Sequence, residues 1–112
     1  FYSGDDALNL PLLALGAVGF VSVTGHLVAD RHRRMLEAFL AGDVATARAV
    51  NQATLPVTIG IMTRAQGAIM VKAALALVGA PVGPVRLPLV EATESEIAVL
   101  TQDLIDGGVA LA

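Results

Sequence analysis

The sequence contains no cysteine, which excludes a disulfide framework and a thiolate metal site. Its two histidines, His26 and His32, have no cysteine or close carboxylate at ligand spacing, so we expect no bound metal and no cofactor. Aromatic residues make up only 4% of the chain, although 55% of it is hydrophobic. The apolar content is therefore mainly alanine, valine and leucine, which is typical of closely packed helices and buried strands.

Basic residues are few and scattered, and the net charge is −3. A nucleic-acid-binding surface needs clustered lysine and arginine, so we expect no nucleic-acid partner. The longest uncharged run, Ala7 to Gly25, is broken by polar residues, proline and glycine and has no basic or aromatic flanks, which argues against a membrane span. Asp5 and Asp6 stand where a signal peptide would carry basic residues.

The first 27 residues have the pattern of a βαβ unit. Phe1-Tyr2 is predicted to end a strand, Ala7 to Gly16 to form a helix, and Ala17 to Thr24 to form a second strand. Strands joined through a helix of this length run parallel. Because a parallel strand pair needs neighbours on its faces and edges, and the chain does not start with methionine, we expect these residues to belong to a larger protein.

The rest of the chain is predicted to be helical. Helices are expected over Val28 to Ala41, Val44 to Met62 and Ala68 to Val78, and Asp43 is expected to cap the second of them. Pro56 is expected to kink or break that helix. After an extended connector from Ala80 to Ala92, Thr93-Glu94-Ser95-Glu96 reads as a capping box that opens a final helix.

Two features on these helices have a chemical and a structural interpretation. The run Arg31, His32, Arg33 and Arg34 fits a binding patch or a solvated helix face, and we favour the solvated face. Lys72, the only lysine, could be an amine nucleophile, but a side chain with its stem on apolar surface and its head in water is the stronger interpretation.

Polar side chains follow both predicted strands. Asp5 and Asp6 could line the rim of a pocket, but a role in capping the next helix is favoured. Ser22, Thr24 and His26 alternate at the end of the second strand and are expected on one face. A serine with a histidine four residues later is a weak indication of a nucleophile when no third group is present.

Several motifs together resemble the C-terminal part of the dihydrodipicolinate synthase family, in its actinobacterial form. They are Ser-Gly-Asp-Asp at 3–6, Val-Gly-Phe-Val-Ser-Val-Thr at 18–24, Gly-Asp at 42–43 with Ala47, Arg48 and Asn51, and Arg-Leu-Pro at 86–88. The resemblance covers essentially the whole chain. The family often has Asn-Pro-x-Pro before the short apolar helix, whereas this chain has Gln66-Gly67-Ala68-Ile69.

The resemblance implies an α/β fold, namely the C-terminal fragment of a (β/α)8 TIM barrel followed by a three-helix extension. Residues 1–42 would supply the end of strand 7, helix 7, strand 8 and helix 8 of the barrel. Residues 43–112 would form the C-terminal helical extension. The fragment itself would be mostly helical.

The resemblance also implies an activity. The family condenses pyruvate with aspartate semialdehyde in lysine biosynthesis, through a Schiff base on a strand-6 lysine and with a strand-5 tyrosine in the proton relay. Tyr2 and Lys72 do not match those residues by position, so this chain is expected to contain no catalytic residue and to be inactive alone. Two pocket residues do carry over: Val21 matches the aliphatic residue beside bound pyruvate, and Gly4 matches a glycine that lines the same pocket.

The same resemblance implies a cytoplasmic homotetramer. Leu10 to Leu15 would contact a neighbouring subunit or pack against adjacent barrel helices. Two other functions stay open at this point. One is a related class I pyruvate aldolase, such as an N-acetylneuraminate lyase-like or keto-deoxy-sugar aldolase, and the other is a non-catalytic helical module used in assembly.

Overall fold

The computed structural model describes residues 1–112 and contains five α-helices. A 3₁₀ turn at Asp6–Leu8 leads into α1 (Asn9–Ala14), and α2 follows at Gly25–Leu40. The remaining helices are α3 (Val44–Met62), α4 (Gly67–Leu77) and α5 (Glu94–Asp106). No helix is both long and apolar enough to cross a membrane.

The two predicted strands are present only as a short parallel pairing. The amide of Ser3 donates to the carbonyl of Gly19 at 2.9 Å, and the amide of Val21 donates to the carbonyl of Ser3 at 2.8 Å. Ser3 and Phe20 form an isolated parallel bridge, and the ring of Tyr2 lies against Gly19. The parallel direction agrees with the prediction, but the expected strand from Ala17 to Thr24 is not formed. The amide of Val18 also donates to the carbonyl of Phe1 at 2.9 Å, and Ser3–Phe20 is the single bridge of the pairing.

Glycines end four of the five helices in the same way. After α2, Gly42 has a φ of 81°, its amide donates to Phe39, and the amide of Asp43 donates to Ala38. This pair of bonds is a Schellman motif, which needs a left-handed residue and therefore favours glycine. The same arrangement closes α1, α4 and α5 at Gly16, Gly79 and Gly108.

The predicted helix starts are confirmed for α3 and α5. Asp43 accepts the amide of Thr46 at 3.0 Å at the start of α3. At α5 the hydroxyl of Thr93 accepts the amide of Glu96, and the carboxylate of Glu96 accepts the amide of Thr93, which completes the capping box. α2 begins at Gly25, three residues earlier than predicted, with a kink at Val28.

Of the kink or break expected at Pro56, the break is wrong, because α3 runs unbroken from Val44 to Met62. Proline removes one backbone donor, and the carbonyl left without it belongs to Gln52, which is exposed and accessible to water. Val57 and Ile61, just beyond the proline, are fully buried in the core. Their packing holds the helix together where its own hydrogen bonding is weaker.

The core lies among the last four helices. Eight buried apolar side chains pack together there: Val28, Val57, Ile61, Met70, Val71, Ala74, Leu100 and Leu104. All but Val28 come from α3, α4 and α5, so the predicted helical extension supplies most of the apolar packing. The paired segments at the start of the chain lie outside this cluster and leave Phe1, Tyr2 and Val21 more than 60% exposed.

Candidate functional site

The two residues predicted to line a pocket, Gly4 and Val21, lie at the end of the paired segments. Gly4 directly follows Ser3, whose carbonyl accepts the amide of Val21. No atom lies within 4 Å of the point where a Cβ on Gly4 would stand. The side chain of Val21 is 72% exposed. Within this chain both residues are therefore accessible.

Asp5 and Asp6 have different environments. Asp5 is exposed and caps the 3₁₀ turn, since its Oδ1 accepts the amide of Ala7 at 2.9 Å. The favoured capping role is thus correct for Asp5. Asp6 is only 4% exposed, and its carboxylate turns toward the segment that follows Val21. The capping interpretation is wrong for Asp6, because burial behind that segment gives its oxygens other donors.

The Asp6 carboxylate is the centre of a buried polar cluster. Its Oδ2 accepts the backbone amides of Val23 and Thr24, both at 2.9 Å. Its Oδ1 accepts the hydroxyl of Ser22 at 2.5 Å and the side-chain amide of Asn9 at 3.2 Å. Four donors thus converge on one carboxylate, which satisfies the charge that burial would otherwise penalise.

His32 extends this cluster from α2. Its Nε2 lies 2.7 Å from Oγ1 of Thr24 and 3.7 Å from Oδ1 of Asp6. Its ring meets the ring of Phe20 edge to face, with centroids 5.9 Å apart. His32 is only 6% exposed, so the expected solvated face is wrong at this residue.

The charges within the cluster follow from these contacts. Burial raises the pKa of Asp6, but hydrogen bonds from Ser22 and Thr24 and the proximity of His32 outweigh burial, and the net pKa lies below the usual 3.8. Burial lowers the pKa of His32 below 6.5, and the nearby carboxylates of Asp6 and Asp30 offset this only in part. At neutral pH Asp6 is therefore an anion and His32 is uncharged.

This cluster does not form a nucleophilic triad. The hydroxyl of Ser22 donates to the carboxylate rather than to a base, and the histidine contacts Thr24 instead. Thr24 is completely buried, so no substrate reaches its hydroxyl. His26, expected on the same face as Ser22 and Thr24, is exposed and its side chain makes no hydrogen bond to the cluster, because α2 has already begun at Gly25.

His32 could have been recognised from the spacing of buried residues. Val28, His32 and Met35 are all buried at helical intervals of four and three. The solvated-face prediction holds for Arg33 and Arg34, which are exposed. Arg31 is half-buried and donates to the carbonyl of Gly107 at 2.5 Å and to that of Gly108 at 3.1 Å.

Lys72 lies in a separate, more apolar cleft. Its ammonium donates to the carbonyl of Pro84 at 2.7 Å, in a cleft of roughly 500 Å³ between α4, the following connector and α5. The cleft walls are mainly small and aliphatic, with Glu91 as the other charged residue. No group of three or more histidine, aspartate or glutamate side chains is placed to hold a metal ion anywhere in the structure.

A model of the dihydrodipicolinate synthetase family matches residues 1–106. This chain belongs to that family. It is 55% identical over 111 residues to 4-hydroxy-tetrahydrodipicolinate synthase 2 of Streptomyces coelicolor, covering 99% of this chain and 37% of the relative.

Solved structures agree with this assignment. The chain is similar to dihydrodipicolinate synthase from Cyanidioschyzon merolae with lysine bound, with a TM-score of 0.91 and 42% identity over 97% of this chain and 37% of that one. It is also similar to a monomeric dihydrodipicolinate synthase variant, with a TM-score of 0.89 and 28% identity over 97% and 36% of the two chains. The chain thus spans little more than a third of the length of the family members it matches.

Proposed function

We propose that this chain provides the C-terminal portion of a 4-hydroxy-tetrahydrodipicolinate synthase, an enzyme of lysine biosynthesis through diaminopimelate. The whole protein would join pyruvate to aspartate semialdehyde as a class I aldolase. The observation that supports this most strongly is the 55% identity to a synthase over almost the entire chain. The relatives carry that synthase name, which favours it over the sialic acid lyases and keto-deoxy-sugar aldolases.

In this proposal Gly4 and Val21 form part of the wall of the pyruvate pocket. The absence of a side chain at Gly4 lets a ligand approach the main chain, and Val21 offers an exposed apolar surface beside it. Ligands of parallel barrels bind at the carboxyl ends of the strands, and both residues follow the paired segments at that end. Residues 1–42 would complete the barrel, and residues 43–112 would form the helical extension.

The Schiff-base lysine and the relay tyrosine would be supplied by other parts of the protein. Tyr2 lies against Gly19, and Lys72 donates to Pro84 in a cleft formed by other elements than the Asp6 cluster. Neither is proposed to react. The 112-residue chain alone would therefore be catalytically inactive.

We further propose that the complete synthase is a cytoplasmic homo-oligomer, a tetramer, with the outer face of α1 at a subunit contact. Pro11 and Ala14 on α1 are exposed, and Leu15 directly after it is 74% exposed, whereas Leu13 is buried within the chain. The contact surface would therefore be narrower than the whole stretch from Leu10 to Leu15.

The decisive experiment joins the upstream portion of the Streptomyces synthase to this chain. The chimera should form 4-hydroxy-tetrahydrodipicolinate from pyruvate and aspartate semialdehyde, and borohydride with pyruvate should trap an adduct on an upstream lysine. The 112-residue chain alone should take up no adduct. A Lys72→Arg chimera is the matched control and should retain both activity and adduct. A folded chimera without activity, or an adduct on Lys72, would refute the proposal.

A further inference from the structure

The buried carboxylate of Asp6 has no assigned role in the proposed pocket, yet it accepts hydrogen bonds from the three residues that follow Val21 in the pocket wall. Ser22, Val23 and Thr24 come immediately after Val21, and each donates one hydrogen bond to Asp6. The three bonds involve one side chain and two backbone amides. Hydrogen bonds from backbone amides restrain the main chain directly, because the position of an amide does not depend on a side-chain rotamer.

The other end of the wall is held by the backbone. The amide of Val21 donates to Ser3, and Ser3 binds the turn through its hydroxyl, which donates to the carbonyl of Asp5 at 3.1 Å. Ser3 is fully buried. Val21 thus lies between a backbone bond on its own amide and the carboxylate bonds that begin at the next residue. It has little freedom to move while its side chain stays exposed.

From His32 to Asp6, each group in the chain of hydrogen bonds donates to the next, which stabilises a negative charge at Asp6. Nδ1 of His32 is buried without a partner, while Nε2 faces Thr24. An unpaired buried N–H is rarer in proteins than an unpaired acceptor, so the ring proton belongs on Nε2. His32 then donates to Thr24, the Thr24 hydroxyl faces Ser22 at 3.3 Å, and Ser22 donates to Asp6.

We propose that Asp6 is a positioning residue, which holds the main chain of residues 22–24 so that Val21 and Gly4 keep the geometry of the pyruvate pocket. His32, as its Nε2–H tautomer, supports this role by ordering the hydroxyls of Thr24 and Ser22 toward the carboxylate. The inference rests on the proposed function for the identity of the ligand. The tethering of residues 22–24 by a charged Asp6 can be tested separately.

The first test uses the 112-residue chain and NMR. In the unaltered chain, nitrogen shifts should show a neutral His32 with its proton on Nε2, and the amides of Val23 and Thr24 should exchange slowly with solvent. Asp6→Asn removes the negative charge and leaves one acceptor oxygen for four donors, so exchange of the two amides should accelerate at least about tenfold, and the His32 signature should change. Asp5→Asn is the matched control, being the adjacent exposed carboxylate, and should leave both readouts as they are.

Each NMR outcome either supports or overturns the tethering. A folded Asp6→Asn chain with unchanged exchange at Val23 and Thr24 would overturn it, as would a proton on Nδ1 of His32. If Asp6→Asn does not fold, Ser22→Ala takes its place, because it removes one donor and keeps the charge. Exchange at Val23 and Thr24 should then rise by a smaller factor, and unchanged exchange would overturn the inference.

The second test measures pocket geometry through kinetics of the chimera. Asp6→Asn should raise KM for pyruvate about tenfold or more, while kcat changes less than about threefold, because the wall binds substrate without taking part in the chemistry. Asp5→Asn should leave KM unchanged. A folded Asp6→Asn chimera with normal KM would overturn the positioning role. An inactive parent chimera would instead count against the proposed function, and the NMR test would still decide the tethering.

Discussion

Gly60 lies at a close approach between α3 and α5, and replacing it by alanine should destabilise the protein. A Cβ at Gly60 would stand 2.8 Å from Cβ of Asp103 and 3.1 Å from Cδ1 of Leu100. The Cβ of Asp103 cannot rotate away, and its carboxylate is held by two bonds from Arg64, at 2.9 and 3.1 Å. The overlap can therefore be relieved only by moving one helix relative to the other.

Two opposing effects set the size of the change. Alanine is favoured over glycine in a helix interior by about 1 kcal/mol. Overpacking a tight core contact costs roughly 1–3 kcal/mol, and the shortness and rigidity of this contact put Gly60 in the upper half of that range. The expected result for Gly60→Ala is a free energy of unfolding lower by about 1–2 kcal/mol, with Tm lower by several degrees at about 4–8 °C per kcal/mol.

Gly67→Ala provides the matched control. It is also a helical glycine, but its Cβ would lie 3.4 Å from Sδ of Met62 and 3.8 Å from Cγ1 of Val23, which are ordinary contact distances. This variant should be unchanged or more stable by up to about 1 kcal/mol. Urea unfolding followed by circular dichroism measures both variants. If Gly60→Ala proves as stable as the unaltered chain, the close packing of α3 on α5 is refuted.

Three further changes should affect stability in defined ways. Burial lowers the pKa of His32 below 6.5, so the unfolded chain is protonated at a higher pH than the folded chain, and the free energy of unfolding should fall as pH drops below about 6.5. In urea unfolding, His32→Gln should remove this pH dependence. A loss of stability due to protonation of Asp6 should remain below pH 3.8. Thr93→Ala should cost about 1 kcal/mol by removing the α5 cap, with Ser95→Ala, which loses only its contact with the Thr93 hydroxyl, as the milder comparison. Arg31→Met should lower Tm because the carbonyls of residues 107 and 108 lose their donor, whereas exposed Arg33→Met should not.

Local signals in the sequence predict the starts of α3 and α5 correctly. The Thr93–Glu96 capping box and the Asp43 cap act through neighbouring backbone groups, so their effect can be read from a few adjacent residues. Pro56 failed as a signal for a related reason. The proline removes one backbone hydrogen bond, but the burial of Val57 and Ile61 against the other helices decides the outcome.

The candidate site was less predictable because its contacts are distant in sequence. Family resemblance indicates Gly4 and Val21, whereas the immediate neighbours of Asp6 and His32 indicate a cap and a solvated face. Asp6 contacts residues 16 to 18 positions away, and His32 contacts Thr24 across the kink at Val28. The helical periodicity indicates that His32 is buried, but no local pattern indicates the distant partners of Asp6.

The packing of Tyr2 on Gly19 supplies a natural optical reporter. The chain has one tyrosine and no tryptophan, so its intrinsic fluorescence comes essentially from this single ring, which lies outside the helical core. The fluorescence emission of Tyr2 would report separation of the two paired N-terminal segments, whereas the ellipticity in circular dichroism would report unfolding of the helices. Disagreement between these signals during denaturation would reveal that the pocket end opens before the rest of the molecule, without any added dye.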